Sequence, residues 1–283
     1  MTMNQKLSVA VLAAAAAMSP ASAAVITYSA NGANSGAILA TVNQFRTDIG
    51  GANNGVGGTF ATGRREINWD AVPDAFSSPN NLPGNFFNAN SPRGVVMTPL
   101  AGGTGFALSA DSSNPSTTPV LFGNLGAGYG TEFQTFSAER LFTVLGSNQF
   151  QIDFFLPGTT TQALVTAFGV IFSDIDLVGN GTNFQAFDLQ GNSLGVVAAA
   201  ADPSGLSFAG LRVDGATAHI ARIVITTGNT NLGGVDSGLL DVVVMDDFIY
   251  GEPAAVPEPS TLLLSGLGLL AVARIKRKRP VVS

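Results

Sequence analysis

Two aspartates, Asp174 and Asp176, stand two residues apart in an apolar stretch that predicts a β-strand, and this spacing sends both carboxylates to one face. Asp188 follows on the next predicted strand, and Asp246 and Asp247 interrupt an otherwise apolar run near the end of the body. Calcium takes roughly six to eight hard oxygen ligands, and carboxylates near strand ends can supply several of them. Asp174, Asp176, Asp188, Asp246 and Asp247 are therefore a candidate calcium set. The bland alternative is that they cap turns or pair with Arg212 and Arg222. No EF-hand loop or calcium-binding nonapeptide repeat is present, and no other cofactor is implied.

A second group surrounds the sole tryptophan. Trp69 could stack on a sugar ring, with Arg64, Arg65, Asn68 and Asp70 bonding hydroxyls, although a single tryptophan is more often core than platform. Glu66 and Asp70 are also the first carboxylates to consider as the acid–base pair of a glycosidase. Against an enzyme, His219 is the one histidine, it lies beside apolar residues, and no Gly-x-Ser-x-Gly elbow supplies a nucleophile. There is no cysteine, and no glycine cluster has the context of a phosphate loop.

These residues need a scaffold, and composition says which kind. Among 283 residues there are 34 glycines and 19 phenylalanines, with 11% charged residues. Turn formers mixed with β-branched and aromatic residues favour many short strands. Predicted strands cover 150–156, 164–177, 184–189, 219–227 and 240–250, with Gly/Asn turns between them. One helix is expected, because Ile38, Leu39, Val42, Phe45 and Ile49 recur at helical spacing between the caps Asn34–Ser35 and Gly50–Gly51. The expectation is a mostly β protein: a single antiparallel sandwich or jelly-roll-like domain over residues 24–252, with one short N-terminal helix.

Charge is partitioned along the chain. Between Ala24 and Val256 there are seven arginines, no lysine and eighteen acidic residues, a net charge of −11. Such a body repels nucleic acid and anionic membrane, which removes both as partners of the folded domain.

The two ends read as processing segments. Residues 1–23 combine Lys6, an apolar stretch from Leu7 to Met18, and small residues Ala21 and Ala23, the pattern of a signal peptide cleaved by signal peptidase after Ala23. Residues 253–283 hold Val256-Pro257-Glu258-Pro259, an apolar segment from Leu262 to Ala273, and a basic end from Arg274 to Arg279. This order predicts a hydrophobic helix that inserts and stops with its charges inside.

Those tail residues resemble the PEP-CTERM sorting signal, also described as an ice-binding protein C-terminal domain. The resemblance implies recognition by an exosortase-type transpeptidase and cleavage near Pro257, Glu258 and Pro259. It further implies a transient inner-membrane anchor, then release to the envelope surface or exopolysaccharide matrix of a Gram-negative bacterium. It does not imply ice binding. The body, through Arg65-Glu-Ile-Asn-Trp-Asp70, Ser91-Pro-Arg-Gly94, the stretch from Phe168 to Asp176 and Met245-Asp-Asp-Phe-Ile-Tyr-Gly251, resembles a group of bacterial proteins with this tail. That likeness implies one long domain and no mechanism. The expected function is a non-catalytic structural or adhesive role at the cell surface, with exopolysaccharide as the ligand class. The alternative is a secreted polysaccharide hydrolase using paired carboxylates, either Glu66 and Asp70 or the pair Asp174 and Asp176.

Overall fold

In the computed structural model, residues 24–179, 181–214 and 219–256 are described. The signal segment with Ala23, and the tail with Pro257, Glu258 and Pro259, lie outside the described residues. Among the described residues no helix is long and apolar enough to cross a membrane.

The strands in chain order are β1 (Val25–Gly32), β2 (Arg64–Ile67), β3 (Val95–Pro99), β4 (Gly105–Leu108), β5 (Phe142–Leu145), β6 (Gln149–Phe154) and β7 (Ala163–Leu164). They continue as β8 (Ala167–Ile175), β9 (Asn183–Phe187), β10 (Ser193–Ala198), β11 (Asp202–Val213), β12 (Arg222–Thr226), β13 (Val244–Gly251) and β14 (Ala254–Ala255). Helix α1 spans Ser35–Asp48, and α2 (Phe86–Ala89) and α3 (Tyr129–Glu132) are single turns.

One sheet runs β1-β11-β8-β13-β5-β4, with β2 also on β13; a second runs β10-β9-β12-β6-β3; β14 and β7 form a small pair. The ladders between named strands are antiparallel. The two larger sheets share one core. Phe150, Ile152 and Phe154 of β6 and Phe184 of β9 meet Phe168, Val170 and Phe172 of β8 and Phe248 and Tyr250 of β13. The fold is a β-sandwich.

Sequence pattern follows from which faces are covered. β6, covered on one side, alternates half-buried and buried residues along Gln-Phe-Gln-Ile-Asp-Phe. β8 is buried throughout, because α1 lies on its other face with Ile38, Val42 and Phe45 against Ala167, Ile171 and Phe208. The seat for Phe45 is made by glycine. Gly169 pairs with Gly210 across β8 and β11, and a Cβ at Gly169 would stand 2.8 Å from the Phe45 ring. α1 begins as its caps predict: the Asn34 side chain accepts a hydrogen bond from the Ala37 N–H at 3.3 Å.

The strand expected over 164–177 is two elements, β7 and β8, and the stretch before residue 150, where no strand is expected from sequence, contains β1 to β5 and the first residue of β6. The glycine-rich stretch before β2 is a loop with a definite job. Gly55, Gly57 and Gly58 adopt φ of 64°, 71° and 67°, and their carbonyls accept hydrogen bonds from the guanidinium of Arg65 at 2.9–3.1 Å. That side chain is fully buried and makes a two-point ion pair with Glu252 at 2.7 and 2.8 Å.

Candidate functional site

Asp174 lies near the end of β8, where the β8–β11 ladder breaks register between Asp202 and Leu206. Its φ is 67° and that of Ser204, across the break, is 52°. Left-handed backbone at non-glycine residues is costly and is kept where the surroundings dictate it. Here the break turns the Asp174 carboxylate so that Oδ1 accepts the Ser204 N–H at 2.6 Å.

Two further carboxylates reach the same point from distant segments. Glu132 comes from the end of α3, and Asp236 from the loop before β13; with Asp174 they offer oxygens all within 4.8 Å of one another. A Cβ at Gly128 would collide with the Glu132 carboxylate, so that glycine leaves room for it. Asp236 Oδ1 accepts the Val242 N–H at 3.3 Å, while its Oδ2 is buried with no hydrogen-bond donor. A buried carboxylate oxygen without a partner is costly, and a cation would satisfy it.

Burial and neighbouring negative charge disfavour ionisation here. Desolvation, followed by the fields of Asp176, Asp236 and Glu132, pushes Asp174 up to about 7, and the Ser204 N–H only partly offsets this. Asp236 is pushed up to about 6 by burial and by Asp176, Asp241 and Glu132. The cluster can hold protons or a hard cation, and oxygen-only donors suit calcium or magnesium over softer metals.

The other residues of the candidate calcium set are placed differently. Asp176 is close enough to raise Asp174 and Asp236, and its N–H donates to Asp241 at 3.4 Å. Asp188 closes its own turn, accepting from the N–H groups of Gln190 and Asn192 and from the Asn192 side chain at 2.8–2.9 Å. Asp246 and Asp247 stand together opposite Ile171 in a bulge of the β13–β8 ladder. Asp246 accepts the N–H groups of Phe136 and Ser137 at 2.6 and 3.1 Å, and Asp247 accepts the Ser137 hydroxyl at 2.8 Å. Burial and mutual repulsion hold Asp246 well above the usual carboxylate range. Asp188, Asp246 and Asp247 are thus local ties of the fold, outside the three-carboxylate cluster.

The residues expected to meet sugar also divide. Trp69 is 1% exposed, stacked on Phe142 at 4.3 Å, with its indole N–H donating to the Asp246 carbonyl at 2.8 Å. Every nitrogen of the Arg65 guanidinium is engaged inside the protein, which corrects its reading as a surface hydroxyl donor. Asp70 accepts the Arg140 N–H at 3.1 Å, and Glu66 is held by Arg46 and Arg64 at 2.7 and 2.6 Å. Asn68 alone is exposed. Sequence gave no sign of Glu132 or Asp236, since neither stands in a motif with Asp174.

The fold and the cluster define a β-sandwich protein, and the sorting motif at its C-terminal side marks it as exported, envelope-associated and sorted by an exosortase-type enzyme. The chain carries the PEP-CTERM protein-sorting motif, which matches residues 255–278. No curated protein and no solved structure matches the chain.

Proposed function

We propose that the sandwich is a non-catalytic structural or adhesive module displayed at the cell surface or in the extracellular matrix, where exopolysaccharide is its partner, and that it is stabilised there by calcium. The sorting motif supports the location. The observation that supports the cation is the meeting of Glu132, Asp174 and Asp236 around a buried, unpartnered oxygen. A hydrolase built on Glu66 and Asp70 has less support, because two guanidiniums neutralise Glu66 and the Arg140 backbone occupies Asp70.

Thermal unfolding of the purified full-length protein tests this reading. Calcium at about a hundred times its dissociation constant adds about 2.7 kcal/mol, which raises the midpoint by roughly 5–10 °C over the EDTA control. An Asp174→Asn/Asp236→Asn variant loses that response. An unchanged midpoint in millimolar calcium rules the calcium site out.

The pH dependence has a definite sign. Asp174 near 7 and Asp236 near 6 bind protons more tightly folded than unfolded. In EDTA their contribution is therefore most favourable below about pH 4 and is lost as pH rises through the folded values. Asp246 and Asp247 are shifted the same way, but only the part due to Asp174 and Asp236 is reversed by calcium at pH 7.5.

A further inference from the structure

Seven arginines lie among the described residues, and five of them have a carboxylate within ion-pair distance: Arg46, Arg64, Arg65, Arg140 and Arg212. Arg222 instead lies over the Phe187 ring at 4.6 Å. Arg93 is the other exception, and it lines a cleft. Its guanidinium sits 5.5 Å from the centre of the Phe87 ring, and one terminal nitrogen donates to the Ser91 hydroxyl. Its Nε is buried without an acceptor. The backbone on either side is fixed, the N–H donating to the Phe87 carbonyl at 2.7 Å and the carbonyl accepting the Tyr250 hydroxyl at 2.9 Å. Burial, with the field of Arg65, lowers the Arg93 pKa from its ordinary value, and an anion here would favour the charged form.

The cleft lies between the segment after β2 and helix α2 and has a volume of about 320 Å³. Its walls include the half-buried Phe76, backed by the buried Phe86 and Phe87, and Trp69 reaches it from the core. Asn68 and Asn90 stand exposed at its edge, and their side-chain amides make no hydrogen bond with other described residues. No carboxylate lines it, so the repulsion that the −11 body exerts on an extended polyanion is screened here over about 8 Å at physiological salt, and a single carboxylate in the cleft meets Arg93 first. An aromatic wall suits the C–H face of a ring, free amides suit hydroxyls, and a guanidinium without a counter-ion suits a carboxylate.

We propose that this cleft binds a carboxylated sugar unit, a uronic acid within an acidic polysaccharide, with Arg93 taking the carboxylate and Asn68 and Asn90 the hydroxyls. The assignment deepens the adhesive reading and relies on it for the polymeric source of the ligand. The ring lies against Phe76, the half-buried phenylalanine of the wall, and its carboxylate accepts from the terminal guanidinium nitrogen that Ser91 leaves free.

Trp69 is the only tryptophan in the chain, so its emission reports entry into the cleft. The purified full-length protein is titrated with sodium glucuronate, glucose and inorganic phosphate, with equilibrium dialysis as a second readout. Glucuronate is expected to saturate the signal at least tenfold more tightly than glucose or phosphate. Arg93→Gln is expected to weaken it at least tenfold, and Asn90→Ala severalfold with an unchanged unfolding midpoint. Asn90 is exposed, so that variant carries the test if Arg93→Gln fails to fold. No glucuronate binding in either assay, equal binding of phosphate, or unaltered affinity in both variants overturns the site. Retention of the protein on polygalacturonate separates the two readings. Glucuronate binding without retention keeps the site and removes the adhesive role; retention untouched by both substitutions does the reverse.

Discussion

Glu252→Ala is expected to destabilise the protein by about 3–5 kcal/mol, the usual cost of removing one partner from a buried ion pair. Glu252 is 7% exposed and Arg65 is fully buried. The two carboxylate oxygens accept from Arg65 at 2.7 and 2.8 Å, from the Asn54 side chain at 2.9 Å and from the Phe60 N–H at 3.3 Å. Without Glu252 the guanidinium keeps only the carbonyls of Gly55, Gly57 and Gly58, which cannot neutralise it. The glycine loop and the end of β13 should then loosen together. Chemical denaturation checks the loss, and limited proteolysis should find new cleavage within residues 52–63. The double variant Arg65→Ala/Glu252→Ala should lose much less than the sum of the single losses, because it buries no unpaired charge. A loss below about 1 kcal/mol for Glu252→Ala would show that the pair is not what closes this end of the fold. Glu252 stands three residues before the start of the matched motif.

Periodicity revealed several of the elements covered on a single face, although not β1, which also alternates. α1 shows its stripe of Ile38, Val42 and Phe45, and β6, β9 and β12 show their alternation. β11 was hidden, although it joins β1 to β8 at the centre of a sheet. Its glycines serve packing across the sheet, with Gly210 making space for Phe45 and Phe208, so locally they read as breakers. The same limit applies to the acidic cluster. The pair Asp174 and Asp176 stood out by spacing alone, while Glu132 and Asp236 join through loops whose course depends on the finished sandwich. Asp246 and Asp247 misled for the opposite reason. Two charges in an apolar strand suggest a ligand, but in the bulge Asp246 accepts from the backbone of Phe136 and Ser137 and Asp247 from the Ser137 hydroxyl.

Trp69→Ala is expected to cost about 3–5 kcal/mol, the range for deleting a large buried aromatic side chain. At roughly 2–4 °C per kcal/mol for a domain of this size, the midpoint should fall by about 6–20 °C. The indole stacks on Phe142 at 4.3 Å with an interplanar angle of 5°, and meets the rings of Phe248 and Phe87 edge-on at 5.0 and 5.4 Å. It therefore ties β13 and β5 to α2, and its N–H satisfies the carbonyl of Asp246 within the bulge. Trp69→Phe separates the two contributions. It keeps most of the stack but leaves that carbonyl without its donor, so a loss of about 1–3 kcal/mol is expected. The result also bears on how the neighbouring cleft works. If Trp69 were a sugar platform, replacing it would abolish glucuronate binding while leaving stability nearly unchanged. If it is the pillar behind the Phe87 wall, as its burial argues, Trp69→Phe should retain most of the affinity measured by equilibrium dialysis, and Trp69→Ala should lose stability first. A wild-type midpoint for Trp69→Ala together with lost binding would reverse the assignment, making the tryptophan the ligand contact and Phe87 its support.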